Sequence, residues 1–158
     1  MRRFFLLIIN LTLFYAVVWA QFSVPNPIRW TERVEMTSQT EGIVTLTANI
    51  TKGWHLYGTE IPSGGPVATS FDFIVSPGIK FVGDMTSDSE PEQNHDDNFD
   101  MELTWWNSSV SFQRRFLIED KSDEMQIEVK IRYMACNDRN CSPPKTVTLT
   151  EIVKPAEN

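Results

Sequence analysis

Apolar and polar residues alternate along most of this chain, and that alternation constrains its fold more than any other feature. Trp30, Val34 and Met36 alternate with polar neighbours, and Val44, Leu46, Ala48 and Ile50 interleave with Thr45, Thr47 and Thr51. Phe71, Phe73 and Val75 follow, then Ile79 to Val82 after the turn Ser76-Pro77-Gly78. Later runs are Met101, Leu103 and Trp105; Val110, Phe112, Phe116 and Ile118; Ile127, Val129, Ile131 and Tyr133; and finally Val147 and Leu149. Successive side chains of an extended strand point to opposite faces, so a period of two buries one face of each run. Ser63-Gly64-Gly65-Pro66, the polar stretch 119–124 and Pro143-Pro144 separate the runs. No helical apolar stripe follows Ala20. Roughly seven to nine short strands of this kind predict an all-β chain, an immunoglobulin-like two-sheet β-sandwich.

The chain has 158 residues, enough for one domain with its own core. Its formal charge is −7, and no Lys/Arg-rich stretch follows residue 3, which argues against nucleic acid as a partner. Two histidines and two cysteines are too few for a zinc ribbon or a multi-ligand metal cage, so no metal and no cofactor is expected. Residues 1–20 read as a signal peptide: Arg2 and Arg3, an apolar run to Trp19, and a small residue, Ala20, at the cleavage position. Asn10 and Thr12 interrupt that run, which falls short of the ~20 apolar residues of a spanning helix. Cleavage would leave one exported domain over 21–158, with 12 basic against 21 acidic residues. It is expected to be a monomer with no stable membrane insertion after processing.

Outside the cytosol a disulfide can form and persist, and Cys136 and Cys141 are the two cysteines available. Asn137 to Asn140 between them are turn residues, which predicts a hairpin with the cysteines facing each other. Parity places Ile127, Val129, Ile131, Tyr133 and Ala135 on one face and Cys136 on the other, so its sulfur is expected to point away from the main core, outward and accessible. A closed loop of about six residues stabilises by only about 2 kcal/mol. A redox group and a structural staple are both open on these grounds. Arg139 and Arg132 could lower a thiol pKa, and Asp138 would oppose this.

Asp84 to Glu102 holds eight acids and no Lys or Arg. The spacing does not match a calcium loop, so a long solvated loop is the expectation, with His95 a loop residue. Phe99 is set among the acids and has two uses open to it, anchoring the loop in the core or covering the cysteines.

Three segments in order, Lys52-Gly53-Trp54-His55-Leu56-Tyr57 with Thr69-Ser70-Phe71, then Asp96-Asp97-Asn98-Phe99, then Cys136 to Cys141 with Pro143-Pro144, resemble the amino-terminal periplasmic domain of the thiol:disulfide interchange protein DsbD. The resemblance spans roughly 40–153 of this chain and implies an immunoglobulin-like sandwich that carries out thiol–disulfide exchange in the periplasm. It implies that Cys136 and Cys141 are the redox pair, with Cys141 bonding to partners. Phe99, Asp97 and Asn98 would belong to a cap loop, and His55 and Tyr57 would line the site. The implied partners are thioredoxin-like proteins and a membrane electron transporter. Three departures stand beside it: one residue fewer between the cysteines, Asp100 where a tyrosine is common, and no membrane or thioredoxin-like domain, which suggests a stand-alone relay. The alternative from the residues alone is a secreted β-sandwich binding module for protein or carbohydrate, with a structural disulfide and Trp54, Trp105 and Trp106 as contacts, one of the adjacent pair being exposed.

Overall fold

The computed structural model describes residues 26–120 and 125–154; residues 1–25, which include the expected signal peptide 1–20, and residues 121–124 and 155–158 lie outside the described residues. Eleven strands occur among them: β1 Ile28–Met36, β2 Glu41–Ile50, β3 His55–Tyr57, β4 Ser70–Val75, β5 Ile79–Ser87, β6 Glu92–Asp96, β7 Met101–Trp106, β8 Val110–Ile118, β9 Met125–Tyr133, β10 Ala135–Cys136 and β11 Lys145–Val153. The fold is all-β, an immunoglobulin-like sandwich, as the alternation predicts. One sheet has the order β1-β2-β8-β5 and the other β11-β9-β4, with antiparallel pairing throughout.

The alternation works as physics requires. In β9, Met125, Ile127, Val129, Ile131 and Tyr133 are buried, while Gln126, Lys130 and Arg132 face water. In β2, Val44, Leu46 and Ala48 are buried from the opposite sheet. Each such side chain contributes about 1.5–3 kcal/mol on leaving water. Trp30 of β1 meets Phe71, Phe112 and Tyr133 with ring centroids 5.8–5.9 Å apart, so aromatic contacts bridge the two sheets.

A third, smaller sheet, β10-β3-β7-β6, closes one end of the sandwich. After Met134 the chain leaves β9 and pairs as β10 with β3, Cys136 lying opposite His55 and Ala135 opposite Leu56. Both faces of its strands β10 and β3, and of the end of β7, are covered. Leu56, Trp106 and Ala135 join the main core. Their strand neighbours Tyr57, Trp105 and Cys136 form a second apolar cluster with Leu103.

The acid-rich stretch is not a long loop. It supplies the end of β5, all of β6 and the start of β7, joined by the short connection 88–91 and the turn 97–100. β6 is an edge strand paired only with β7, and four of its five residues are exposed. An edge strand with no buried face carries no apolar alternation, so only its hydrogen bonds identify it.

Glu32 sits at an inward-facing position of β1, between Trp30 and Val34. Its two carboxylate oxygens are covered and have no hydrogen-bond partner. Burial, and then the charge of Glu151, push its pKa up from 4.5 to about 7. The folded state therefore holds a proton that the unfolded chain releases near pH 4.5. The stability attached to this group is fully present below pH 4.5, falls as pH rises toward about 7, and stays lost above it. Glu32→Gln is expected to stabilise more at pH 8 than at pH 5, by about 1–2 kcal/mol after allowance for solvent screening. Urea unfolding at the two pH values checks this.

Candidate functional site

The second apolar cluster is built around a disulfide. Cys136 and Cys141 are bonded, with Cα atoms 4.0 Å apart. Asn137 N–H donates to Asn140 O at 2.9 Å on one side of the pair, and Ser142 N–H donates to Ala135 O at 2.8 Å on the other. The cysteines therefore occupy a non-hydrogen-bonded position of a hairpin ladder, where facing side chains come closest. Asn137 Oδ1 accepts from Arg139 N–H and Asn140 N–H and so closes the turn. Ser142 Oγ adds a bond to Ala135 O at 3.0 Å.

Parity correctly turns Cys136 away from the main core, but the sulfur does not reach water. Cys136 is 0% exposed, because the small sheet and its cluster cover the face that the alternation leaves open. Cys141 is partly exposed and packs against the same cluster. The two sulfurs are thus unequal in access.

His55 and Tyr57 project from β3 on the cluster side. His55 stacks on Trp105 with centroids 4.5 Å apart, and Tyr57 meets Phe99 edge-on at 6.0 Å. Phe99, at the tip of the β6–β7 hairpin, is half-buried against the cluster that also holds Cys141. Asp97 and Asn98 are exposed at the same tip. Every residue named for the site from the sequence lies in or beside this one cluster or its hairpin tip.

The residue that joins them was hidden among eight similar acids. Asp96 is 3% exposed. Its Oδ2 accepts from Tyr57 Oη at 2.6 Å, and its Oδ1 accepts from Asn98 N–H at 2.8 Å and Phe99 N–H at 3.2 Å. Asp100 N–H donates to Asp96 O at 2.8 Å, and Asp100 takes φ 53° to complete the turn, a conformation that Asp accepts better than a bulky residue. One carboxylate thus ties the hairpin tip to the ring beneath it. A buried Asx turn in Asp-x-Asn-Phe was the available signal.

Burial, then the hydrogen bond to Asp96, then its charge push the Tyr57 hydroxyl far up, so it stays protonated and donates. Burial lowers the His55 pKa, while Asp96 and Asp138 oppose it. The 3.7 Å approach of His55 Nε2 to Asp96 Oδ2 would be an ion pair only with a protonated ring. Desolvation outweighs the two carboxylates, so the ring is neutral at pH 7. His95 lies in β6, not in a loop, and its ring nitrogens approach Asp97, Asp100 and Glu102 at 3.4–3.9 Å.

The tryptophans do not make a binding surface. Trp105 is 9% exposed and Trp106 lies in the main core, while Trp54 is half-buried against it. Adjacent strand residues do face opposite ways, but both faces are covered here. Among the described residues, the exposed large apolar side chains are Ile74, Val82 and Ile152.

No curated protein matches the chain. Among solved structures, the N-terminal periplasmic domain of ScsB from Proteus mirabilis has a TM-score of 0.56 at 18% identity, over 84% of this chain and 49% of that one, and shares the fold. The reduced DsbD N-terminal domain of Neisseria meningitidis has 12% identity and a TM-score of 0.46, over 79% of this chain and 90% of that one. The complex of the DsbD and PilB N-terminal domains from the same organism has 14% identity and a TM-score of 0.49, over 87% and 97%. The family model for the N-terminal domain of the thiol:disulfide interchange protein DsbD matches residues 25–152, and the chain belongs to that family.

Proposed function

We propose that this chain is an exported, periplasmic thiol–disulfide exchange module that relays reducing equivalents through Cys136 and Cys141. The observation that carries the reading is the bridge itself. It closes a six-residue loop in a hairpin already fixed by backbone hydrogen bonds, with one sulfur buried and the other partly exposed. Such a bridge adds little to stability, and its access is asymmetric. A donor thiolate attacks Cys141 Sγ, the S–S bond breaks, and the electron pair leaves on Cys136 Sγ. The donor's second thiol then attacks the mixed disulfide at the donor's own sulfur and releases reduced Cys141. In the reverse step, Cys141 attacks an acceptor's disulfide and Cys136 resolves the intermediate. Family membership supports thioredoxin-like proteins and a membrane electron transporter as the other stations of the relay. Mixing the oxidised chain with a reduced thioredoxin-like protein, then quenching in acid and alkylating, tests this. Transfer of two electrons to Cys136 and Cys141 is expected; a bridge that stays closed while the chain is folded overturns the reading.

Phe99 acts in this reading as the movable cover, with Asp97 and Asn98 carrying it and His55 and Tyr57 forming the bed beneath. An edge-to-face ring pair is worth about 0.5–1.5 kcal/mol, so deleting the Phe99 ring raises the uncovered population about two- to tenfold. Phe99→Ala is expected to speed oxidation of the reduced pair by small oxidants by that factor, with the melting temperature nearly unchanged. A core anchor would instead lose about 3–5 kcal/mol of stability with oxidation unaltered. Stopped-flow oxidation and thermal melting of the one variant separate the two.

A further inference from the structure

A cleft of about 380 Å³ lies between the β6–β7 hairpin and the cysteine hairpin. Glu92, Asp96, Asp97 and Asp138 line it together with His55 and His95, and no Lys or Arg does. Arg139, the next residue along the loop, is exposed and outside the lining. Asn107 Nδ2 holds Glu92 by a 2.8 Å hydrogen bond. A second observation is independent of the charges. His55, nine-tenths buried at 9% exposure, lines the cleft, and its Nε2 has no hydrogen-bond partner. His55 stands directly across the ladder from Cys136, so a partner seated in the cleft lies next to the strand that carries the bridge.

We propose that this cleft selects exchange partners by charge, taking a protein or peptide thiol flanked by Lys or Arg and turning away anionic thiols. The proposal rests on the exchange reading above. An attacking thiolate is an anion, and three exposed carboxylates that line the cleft, Glu92, Asp97 and Asp138, oppose its approach, an effect screened beyond a Debye length of about 8 Å. Lys or Arg next to the partner's cysteine reverses the sign of that interaction. The acidic rim thus protects the pair from small anionic thiols and disulfides while admitting a basic partner.

Three thiol peptides test this on the oxidised chain: acetyl-Lys-Cys-Lys-amide, acetyl-Gly-Cys-Gly-amide and acetyl-Glu-Cys-Glu-amide, compared at equal thiolate concentration. Each attack on Cys141 Sγ expels Cys136 as a thiolate that takes a proton. A second peptide thiolate then attacks the first peptide's sulfur, so two peptide thiols are oxidised to a disulfide as the bridge gains two electrons. At low ionic strength the Lys peptide is expected to open the bridge at least about tenfold faster than the Glu peptide, and the ratio is expected to shrink to about twofold in ~0.5 M salt. The triple variant Glu92→Gln, Asp97→Asn, Asp138→Asn is expected to lose most of that ratio. Equal rates at low salt, or a ratio that salt does not change, overturn the charge filter alone. Opening by none of the peptides at either salt overturns the exchange reading and the filter with it.

Discussion

Cys136→Ser is expected to accumulate mixed disulfides with partner proteins, and Cys141→Ser is expected to accumulate almost none. The two sulfurs stand in different surroundings. Cys136 is 0% exposed within the cluster of Tyr57, Leu103 and Trp105, whereas Cys141 is partly exposed at its edge. In-line attack at sulfur needs an open approach, so the first bond to a partner is expected to form at Cys141. Without Cys136 nothing resolves that bond, and the intermediate persists on a non-reducing gel until reductant is added. Without Cys141 the remaining thiol is enclosed. The difference in trapped complex is expected to exceed tenfold, as for any step that loses its nucleophile. Cys136→Ala gives a second variant in which no buried hydroxyl is introduced. More complex from Cys141→Ser than from Cys136→Ser would reverse the assignment.

Asp96→Ala has the next largest expected effect. The carboxylate accepts from the Tyr57 hydroxyl and from two backbone N–H groups at the hairpin tip. Hydrogen bonds to a charged group contribute about 1.5–3 kcal/mol, and the substitution strands the hydroxyl of Tyr57, which is itself 0% exposed. A stability loss of about 2–4 kcal/mol is expected, together with oxidation of the reduced pair faster than in Phe99→Ala. Asp96→Asn keeps an oxygen for the two backbone donors but can offer its NH₂ group to Tyr57 only as another donor, so it is expected to fall between. Tyr57→Phe combined with Asp96→Asn in a double-mutant cycle isolates the hydrogen bond between the Tyr57 hydroxyl and Asp96. Additive losses would show that Asp96 and Tyr57 do not act together.

The sandwich was legible because β2, β8 and β9 bury one face against a partner sheet, which writes the period of two directly into the chain. Parity also placed Cys136 opposite the main core. It could not show that the opposite face is covered. The strands that build this face next to Cys136, three residues in β3 and two in β10, are too short to display any period, and Phe99 packs against it from the β6–β7 hairpin tip. The adjacent pairs Leu56-Tyr57 and Trp105-Trp106 carried a faint signal, since two large neighbours in a strand bury both faces. Asp96 was illegible for another reason. In composition it is one of eight acids, and only the fold decides which of them is withdrawn from water.

The most direct test of the central claim, that the bridge serves chemistry and not the fold, compares urea unfolding of the oxidised and fully reduced chain at one pH. The expected result is a reduced chain that keeps its near-ultraviolet spectrum and loses only about 2 kcal/mol, the contribution of a six-residue loop. A reduced chain that is already unfolded without urea would contradict the claim and make the bridge a staple.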